Sequence, residues 1–279
     1  MLEASRLWRR EGKSIGLVPT MGALHAGHLS LVDASRREND VVVVSIFVNP
    51  IQFGPGEDFT RYPRDYAHDA SLLEAAKVDA IYRPATEAMY PPGATTRVRV
   101  GDVAEPLEGA VRPGHFEGVA TVVTKLFAAV APDRAYFGQK DAQQAAVVKR
   151  LVRDLDLGVD VRVQPIVREP DGLALSSRNV YLSPDERKAA VALSSALRAA
   201  ADAYAGGERD PDALLAELRR RLEAEPLVQV DYTELVDQAT FQKPGTLAVV
   251  AARVGKTRLI DNHDLALGFP QDSFRSALK

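Results

Sequence analysis

The segment VVVVSIFV, residues 41–48, constrains the fold more than any other stretch of the chain. A strand with one face in water alternates apolar and polar residues, whereas this run is apolar on both faces. Such a strand needs cover on both sides, as in a parallel sheet between two layers of helices. Strand-like apolar runs recur at residues 14–19, 78–84, 134–138 and 159–167. We therefore predict a sheet of largely buried strands.

Helical patterns lie between most of these runs. Residues 28–38 and 65–77 fit helices, and GVATVVTKLFAAV, residues 118–130, places its valine, leucine and phenylalanine side chains on one helical face. The segment DAQQAAVVKRLVRDL, residues 141–155, shows the same spacing. Alternation of strands with helices is typical of an α/β fold, so we predict a doubly wound, parallel, Rossmann-like sheet.

The pattern changes after about residue 180. Ser183, Pro184 and Glu186 form a capping-box signature before one long alanine-rich helix, and Asp210 with Pro211 marks the start of another. Two strand-rich segments follow and predict a small antiparallel sheet. They are LVQVDYTELVD and GTLAVVAARVGKTRLIDN.

We therefore predict two domains. The first is the Rossmann-like domain, residues 1–176, and the second is a smaller α+β domain, residues 177–279.

Composition excludes several classes of protein. The chain has no cysteine, so disulfides, thiolate metal sites and cysteine nucleophiles are excluded, which agrees with a cytoplasmic location. A net charge of −3 argues against non-specific binding of nucleic acid. No apolar run reaches the roughly 20 residues of a membrane span, and the first residues carry no apolar segment typical of a secretory signal. We expect neither a nucleic acid nor a membrane partner.

The first strand is followed by PTMGALHAGH, residues 19–28, which opens the first helix after it. In a doubly wound sheet, ligands bind beyond the carboxyl ends of the strands, and a helix N-terminus offers unpaired N–H groups to phosphate. Gly22 and Gly27 let the backbone approach closely, and His25 and His28 are donors to an anion. The alternative is a tight turn with ordinary polar histidines. A zinc site is less favoured because a third ligand is not evident.

A second phosphate-binding candidate is LALSSRN, residues 173–179. Ser176, Ser177 and Arg178 supply two hydroxyls and a guanidinium, which together can hold a triphosphate. Taken alone, the segment also fits an ordinary polar loop. With the H-x-G-H signature at His25 and His28, it resembles the nucleotidyltransferase superfamily, whose members transfer AMP from ATP to an acceptor.

Further motifs narrow the resemblance. PTMGALHAGH, SIFVNPIQF, YPR, HFEGVATVV, FGQKDAQQ and REPDGLALSSRN occur in the order and spacing of the pantothenate synthetase family. The resemblance runs from residue 14 to residue 263, is dense in the first domain and looser in the second, and includes TRLIDN near the end. It implies ATP-dependent joining of pantoate to β-alanine through a pantoyl adenylate, with release of AMP and pyrophosphate.

The resemblance also implies site residues. The expected catalytic set comprises His25, His28, Lys140, Ser176, Ser177 and Arg178, which would stabilise charge on the phosphates. The expected ATP-binding set is Met21, Gly22, Ala23, Leu24, His25, Ala26, Gly27, His28, Gly138, Gln139, Lys140, Asp141, Val167, Leu175, Ser176, Ser177 and Arg178.

Mg²⁺ is implied as well, held mostly by ATP oxygens and water. Asp69 is a candidate protein ligand for this ion, with a surface carboxylate on a helix as the favoured alternative.

The acceptor side rests on two glutamines. Gln52 and Gln144 match the family's pantoate-binding positions, and Gln52 is also the candidate for β-alanine. Gln144 has an alternative as the third residue of a capping box opened by Asp141. Asn49 and Tyr62 are weaker candidates, and Asn49 alternatively ends a strand before a proline.

Because an adenylate is a mixed anhydride, free β-alanine can attack it without a covalent enzyme intermediate, which agrees with the absence of a G-x-S-x-G motif. The smaller domain is expected to act as a lid that excludes water, and identical scattering profiles with and without ATP plus pantoate would remove support for that idea. The resemblance also implies a homodimer.

The chain departs from the family pattern at Gln139, where many members carry glutamate, and in a leading segment that is short or missing. Two rival functions stay open on the residues alone: a nucleotidyltransferase that leaves AMP on its product, and an adenylate-binding module without turnover. NPIQF and KDAQQ argue against the first, and His28, Lys140 and Arg178 together against the second. A tRNA-acylating function lacks an appended basic domain. His28, as a loop residue, is expected to contribute little to stability.

Overall fold

The computed structural model describes residues 1–269 and divides them into two compact units. The first comprises Met1–Gly138 and Gln143–Gln164, and the second comprises Gln139–Ala142 and the described chain from Pro165. Residues 165–176, predicted to belong to the first domain, thus fall in the second unit. The reason is a contact between side chains: Arg168 in this segment pairs with Asp261, which is part of the second unit.

The first unit is built on a five-stranded parallel sheet in the order β3-β2-β1-β4-β5. Its strands are β1 (Ile15–Thr20), β2 (Val41–Ile46), β3 (Ala80–Tyr82), β4 (Arg134–Gly138) and β5 (Asp160–Gln164). Its helices are α1 (Leu2–Arg10), α2 (Ala26–Glu38), α3 (Tyr66–Ala75), α4 (Thr86–Met89), α5 (Glu108–Val111), α6 (His115–Val130) and α7 (Ala142–Asp154), the last counted here from Gln143 onward. The doubly wound parallel sheet predicted from the sequence is confirmed.

The buried valines of β2 explain this arrangement. All six residues of β2 are buried, and Val42 and Val44 join a core that also contains Leu31, Leu73 and Tyr136. The strand order reverses at β1, which pairs with β2 on one side and β4 on the other. Such a switch point is where open parallel sheets bind ligands, at the carboxyl ends of the strands.

The second unit contains a three-stranded antiparallel sheet and three helices. The strands are β6 (Val228–Val236), β7 (Leu247–Val254) and β8 (Thr257–Asp264), and the helices are α8 (Pro184–Ala189), α9 (Ala192–Ala205) and α10 (Pro211–Glu223). Its core joins Leu193 and Leu197 of α9 to Leu218 and Leu222 of α10 and to Val250 of β7. The predicted small antiparallel sheet is confirmed.

The helix caps predicted for this unit are present, but the predicted long helix is not. Ser183 and Glu186 form the predicted capping box, and Asp210 caps α10. The single alanine-rich helix is instead two helices, α8 and α9. Between them Val191 N–H donates to Lys188 O and Leu193 N–H to Ala190 O, an i→i+3 spacing that interrupts the α-helical ladder.

Among the helices of residues 1–269, none has the length and apolar character needed to cross a bilayer.

Candidate active site

The loop between β1 and α2 is held in shape by a buried carboxylate. Asp69 of α3 is 1% exposed, and its Oδ2 and Oδ1 accept from Ala23 N–H at 2.9 Å and Leu24 N–H at 2.8 Å. Gly22 and Ala23 have φ values of +85° and +50°, and a Cβ on Gly22 would lie 2.9 Å from Asp69 Oδ2. The close carboxylate and the left-handed backbone therefore explain the glycine at this position.

The position of Asp69 shows a structural role beside the predicted one as a metal ligand. Both oxygens of Asp69 accept backbone N–H bonds, and the side chain is buried, so the alternative of a surface carboxylate on a helix is wrong. Within residues 1–269 no group of three or more histidine, aspartate or glutamate side chains is arranged to hold a metal. Asp69 is therefore a clamp for the loop, its role as a Mg²⁺ ligand stays a prediction, and we derive no step through a protein-held Mg²⁺.

We expect Asp69→Asn to destabilise the fold by about 1–3 kcal/mol, because the amide nitrogen cannot accept and one loop N–H loses its partner. Denaturant unfolding measures this change. Asp33→Asn, the same substitution at an exposed position on α2, is the matched control and should leave the free energy of unfolding within about 0.5 kcal/mol of the parent. Equal midpoints for both variants would contradict the clamp.

His25 and His28 form a reciprocal cap at the start of α2. His25 is the N-cap residue, and its Nδ1 accepts from Gly27 N–H at 3.2 Å, while His28 Nδ1 accepts from His25 N–H at 3.3 Å. The two ring centroids are 4.1 Å apart. An Nδ1 that accepts carries no proton, so each neutral ring bears its proton on Nε2. The local structure thus sets the tautomer in which both rings donate through Nε2.

Gln52 lies in a 3-10 turn after β2 and is oriented by a buried asparagine. Asn49, 1% exposed, donates from Nδ2 to Gln52 Oε1 at 2.9 Å and to Gly118 O at 3.0 Å, and accepts from Tyr90 Oη at 2.8 Å. With Oε1 held in this way, Gln52 Nε2 faces Met21 Sδ at 3.2 Å. Asn49 therefore does more than end a strand: it orients the amide of Gln52.

Gly118 allows α6 to approach this turn. A Cβ at Gly118 would lie 2.5 Å from Ile51 O and 2.7 Å from Gln52 N, so any larger residue would push the turn away. Tyr62, the other weak candidate, is 6% exposed and packs edge-on against Phe53 just after the turn.

His115, at the start of α6, fixes the backbone of the same turn. Its Nδ1 lies 2.9 Å from Gln52 O, and its Nε2 lies 3.1 Å from Arg112 Nη1. Because a guanidinium only donates, Nε2 must accept, and the single proton of the ring sits on Nδ1 and bonds Gln52 O. Burial and the neighbouring charge of Arg112 lower the pKa of His115 to about 4, which keeps the ring in this neutral form.

Arg112 is in turn held by Glu57, in the loop after Gln52. Arg112 Nε and Nη2 donate to the two oxygens of Glu57 at 2.7 and 2.8 Å. Burial alone would raise the pKa of Glu57, but the hydrogen bonds and charge of Arg112 outweigh it and lower that pKa. The sequence motif HFEG contains His115, but its partners are remote in sequence and were not foreseen.

We expect the free energy of unfolding to fall by about 3 kcal/mol on account of His115 as the pH drops from 6.5 to 4, because only the unfolded state binds the proton in that range. Below pH 4 this contribution is fully lost, and above 6.5 it is fully present. His115→Asn should flatten the curve measured by denaturant unfolding across this window. The exposed His68→Asn should not, and parallel curves for all three proteins would contradict the assignment.

Lys140 lies in the second unit, in the 3-10 turn Gln139–Asp141 that follows Gly138, the last residue of β4. Its side chain is 20% exposed, and Nζ lies 3.6 Å from Asp141 Oδ1. Gln139 uses its amide within the unit: Nε2 donates to Asn262 Oδ1 at 3.1 Å, and Oε1 accepts from Gln238 Nε2 at 3.0 Å. Gln139, which stands where the family pattern often has glutamate, is thus anchored to β8.

The second unit also carries the loop with Ser176, Ser177 and Arg178. Leu175 N–H donates to Val167 O at 3.0 Å, which closes the base of the loop. Ser176 caps the following 3-10 helix, Ser177–Tyr181, and its Oγ accepts from Arg178 N–H at 3.2 Å. The predicted residues are therefore gathered on one short capped turn.

The two glutamines of α7 have different roles. No hydrogen bond among the described residues joins half-buried Gln144 to Asp141, so the capping-box alternative is not seen. Gln143 is instead the structural residue: it is 5% exposed, donates to Val103 O and Pro106 O, and accepts from Glu108 N–H. Gln144 as a pantoate ligand stays a prediction.

Comparison with known proteins identifies the family. The family model for pantoate–β-alanine ligase matches residues 1–264. The chain belongs to the pantoate–β-alanine ligase family. A pantothenate synthetase of Roseiflexus sp. strain RS-1 is 59% identical over 252 residues, which cover 88% of this chain and 91% of the relative. This membership makes the chain a ligase that joins pantoate to β-alanine.

Solved structures agree with this ligase assignment. Pantothenate synthetase from Thermus thermophilus superposes with a TM-score of 0.88 at 52% identity, covering 90% of this chain and 93% of that one. The pantoate–β-alanine ligase of Francisella tularensis, solved with a β,γ-ATP compound and β-alanine, gives a TM-score of 0.81 at 36% identity, covering 96% and 97%.

Proposed function

We propose that this ATP-using ligase works through a pantoyl adenylate. A carboxylate oxygen of pantoate attacks the α-phosphorus of ATP, and the bond to the bridging oxygen breaks to release pyrophosphate. The amine of β-alanine then attacks the acyl carbon of this mixed anhydride, loses a proton and expels AMP, which leaves the amide bond of pantothenate. The product class is a precursor of coenzyme A.

One observation carries this proposal: in the first unit, the loop whose histidines donate hydrogen bonds to phosphate contacts Gln52, the candidate pantoate-binding residue. Met21 begins the loop that ends at His25 and His28, and its Sδ lies 3.2 Å from Gln52 Nε2. A group that holds a carboxylate and groups that stabilise phosphate charge thus occur side by side. This is the requirement for joining an acid to an α-phosphorus.

The histidines act as donors in this scheme. With Nδ1 of each ring occupied by backbone N–H groups, Nε2–H of His25 and His28 is the donor for phosphate oxygens. The N-terminus of α2 adds the positive end of a helix of 13 residues. Charge that builds on the oxygens as pyrophosphate leaves is stabilised by fixed donors of this kind.

The acceptor is held by amides. Gln52 Nε2 donates to the carboxylate of pantoate and then of β-alanine, and Gln144 is proposed as a second pantoate ligand. Asn49 keeps Gln52 in the donating orientation by occupying Oε1.

The second unit supplies cations and hydroxyls for the triphosphate. Lys140, Ser176, Ser177 and Arg178 are proposed for this role, since ammonium, hydroxyl and guanidinium groups bind phosphate by charge-assisted hydrogen bonds. The remaining proposed ATP contacts are Met21, Gly22, Ala23, Leu24, Ala26, Gly27, Gly138, Gln139, Asp141, Val167 and Leu175. Mg²⁺, when present with ATP, is expected on phosphate oxygens and water rather than in a protein cage.

Oxygen tracing tests the adenylate. With pantoate carrying ¹⁸O in its carboxylate, one labelled oxygen should pass to AMP and the other should stay in the amide carbonyl of pantothenate, because the attacking oxygen leaves with phosphorus. Mass spectrometry of both products measures this. Label that stays out of AMP would overturn the proposed route, and a stable adenylylated product in place of pantothenate would favour the rival nucleotidyltransferase.

We also propose that the chain forms a homodimer, as its family resemblance implies. Analytical ultracentrifugation of the full chain should give about twice the chain mass of 30.3 kDa, and a single species at 30.3 kDa would contradict the dimer.

A further inference from the structure

The segment TRLIDN ends with two buried polar residues on β8 that the reaction scheme does not use. Asp261 and Asn262 are each 3% exposed, although aspartate and asparagine are usually found at the surface. Buried polar groups need hydrogen-bond partners, so the partners of this pair show what the two side chains hold.

Asn262 holds the turn that carries Lys140. Its Nδ2 donates to Gln139 O at 2.9 Å and to Lys140 O at 3.0 Å, and its Oδ1 accepts from Gln139 Nε2 at 3.1 Å. Both ends of one amide are thus used on two consecutive residues. The backbone from which the Lys140 side chain extends is fixed directly to β8.

Asp261 holds the base of the loop that carries Ser176 to Arg178. Its two oxygens accept from Arg168 Nη1 at 2.6 Å and Nη2 at 2.9 Å, and Arg168 Nη1 also donates to Gly172 O at 3.1 Å. Arg168 pairs with Ala174 in an isolated β-bridge, two residues before Ser176. This buried ion pair therefore ties the start of the serine loop to the same strand as Asn262.

The two anchors are themselves joined. Asn262 N–H donates to Asp261 Oδ1 at 2.8 Å, so the side chain that binds Arg168 also accepts from the residue that binds the lysine turn. All of these residues belong to the second unit.

We propose that Asp261 and Asn262 are positioning residues for ATP activation: together they set the spacing between Lys140 and the serine loop. The inference rests on the proposed function, in which both elements bind the triphosphate. A lysine side chain has a flexible four-carbon stem, so its ammonium is placed accurately only if its backbone is fixed. Misplacing a catalytic group by an ångström can cost about 10²-fold in rate.

The test is the split between substrates in Asn262→Ala and Asn262→Ser. Both variants lose the two backbone acceptor contacts without burying a charge. We expect KM for ATP to rise or kcat for pantoate-dependent ATP–pyrophosphate exchange to fall by about 10-fold or more, with KM for β-alanine within about 2-fold of the parent. Asp264→Asn, on the same strand but capping a different turn, is the matched control and should leave all three parameters unchanged.

A double-mutant cycle separates positioning from stability. If Asn262 acts through Lys140, adding Asn262→Ala to Lys140→Ala should lower the exchange rate by less than about 3-fold further. Independent, multiplicative losses would overturn the inference, as would a lower melting temperature with unchanged kinetic parameters.

Arg168→Lys tests the other anchor, since lysine keeps the charge but its single nitrogen cannot reproduce the planar pairing of two guanidinium nitrogens with the two oxygens of Asp261. We expect KM for ATP to rise about 10-fold, with the exposed Arg220→Lys as control. An unchanged KM for ATP would contradict this half of the inference. Failure of this inference can be told apart from failure of the reaction scheme, because ¹⁸O transfer to AMP in the unmodified ligase tests the scheme alone.

Discussion

Replacing His28 with alanine is expected to lower the rate of AMP formation by about 10²–10³-fold. The reason is the tautomer: His28 Nδ1 accepts from His25 N–H, so the ring donates through Nε2 to oxygens on which charge builds as pyrophosphate leaves. Rapid-quench measurement of the pyrophosphate formed in the first turnover, with ATP and pantoate saturating, reports this step, and AMP formation in the presence of β-alanine reports the whole reaction. Because Lys140 and the serine loop contribute further donors, a residual rate above background is expected.

Alanine also removes a cap, which the sequence alone did not indicate. As a loop residue, His28 was expected to contribute little to stability, but its Nδ1 bond to His25 N–H is part of the N-terminal cap of α2. Loss of such a cap costs about 1 kcal/mol. The alanine variant therefore mixes a catalytic effect with a structural one.

Two amide variants separate these effects. In His28→Asn the Oδ1 atom takes the place of Nδ1, so the cap is retained while the Nε2 donor is lost. In His28→Gln the amide nitrogen reaches the place of Nε2, while the acceptor for His25 N–H is lost. We expect the asparagine variant to melt close to the parent and to be as slow as alanine, and the glutamine variant to be less stable but faster. An asparagine variant with a rate within about 5-fold of the parent would rule out the donor role.

The fold was largely predictable because its main determinants are local. Apolar runs such as Val41–Ile46 can be recognised as strands before their partner strands are known. Ser183 and Asp210 cap the helices that directly follow them. The interruption between α8 and α9 was not predictable in the same way. It depends on a change in backbone hydrogen bonding at Val191 that alanine-rich composition does not show.

In the candidate site, too, the features that depend on neighbouring residues were predictable and those that depend on remote residues were not. His25 and His28 are neighbours in sequence, and their loop position after β1 follows from the strand that precedes them. The structural roles of the residues that hold the site were missed because their partners are remote in sequence. Asp69 binds Leu24 across 45 positions, His115 binds Gln52 across 63, and Asn262 binds Lys140 across 122. Only the folded chain brings these groups together, and no periodicity records such pairs.

Asp69 shows how this affects interpretation. The sequence offered Asp69 as a candidate Mg²⁺ ligand, with a surface carboxylate on a helix as the favoured alternative. In the structure the side chain is buried and accepts two N–H groups of the loop, a third role that requires knowledge of the tertiary contact.

Replacing Gln52 with glutamate is expected to raise KM for pantoate by about 10²-fold or more, with KM for ATP little changed. Glutamate has nearly the same shape, and one of its oxygens can still accept from Asn49 Nδ2, as Gln52 Oε1 does at 2.9 Å. The other oxygen takes the place of Nε2, so a donor to the substrate carboxylate becomes a like charge. Initial rates of AMP formation against pantoate concentration measure the change.

The glutamate variant also distinguishes an acceptor-binding residue from a structural one. Because Asn49 and His115 hold the Gln52 side chain and backbone without using Nε2, the turn should keep its shape, and the melting temperature should stay near that of the parent. Gln229→Glu, the same substitution at an exposed position on β6, controls for the added charge and should leave KM for pantoate unchanged. If KM for pantoate and KM for ATP rise together in Gln52→Glu, the residue shapes the whole loop through Met21 rather than binding pantoate. If only KM for pantoate rises, the amide of Gln52 in the parent contacts the carboxylate of pantoate.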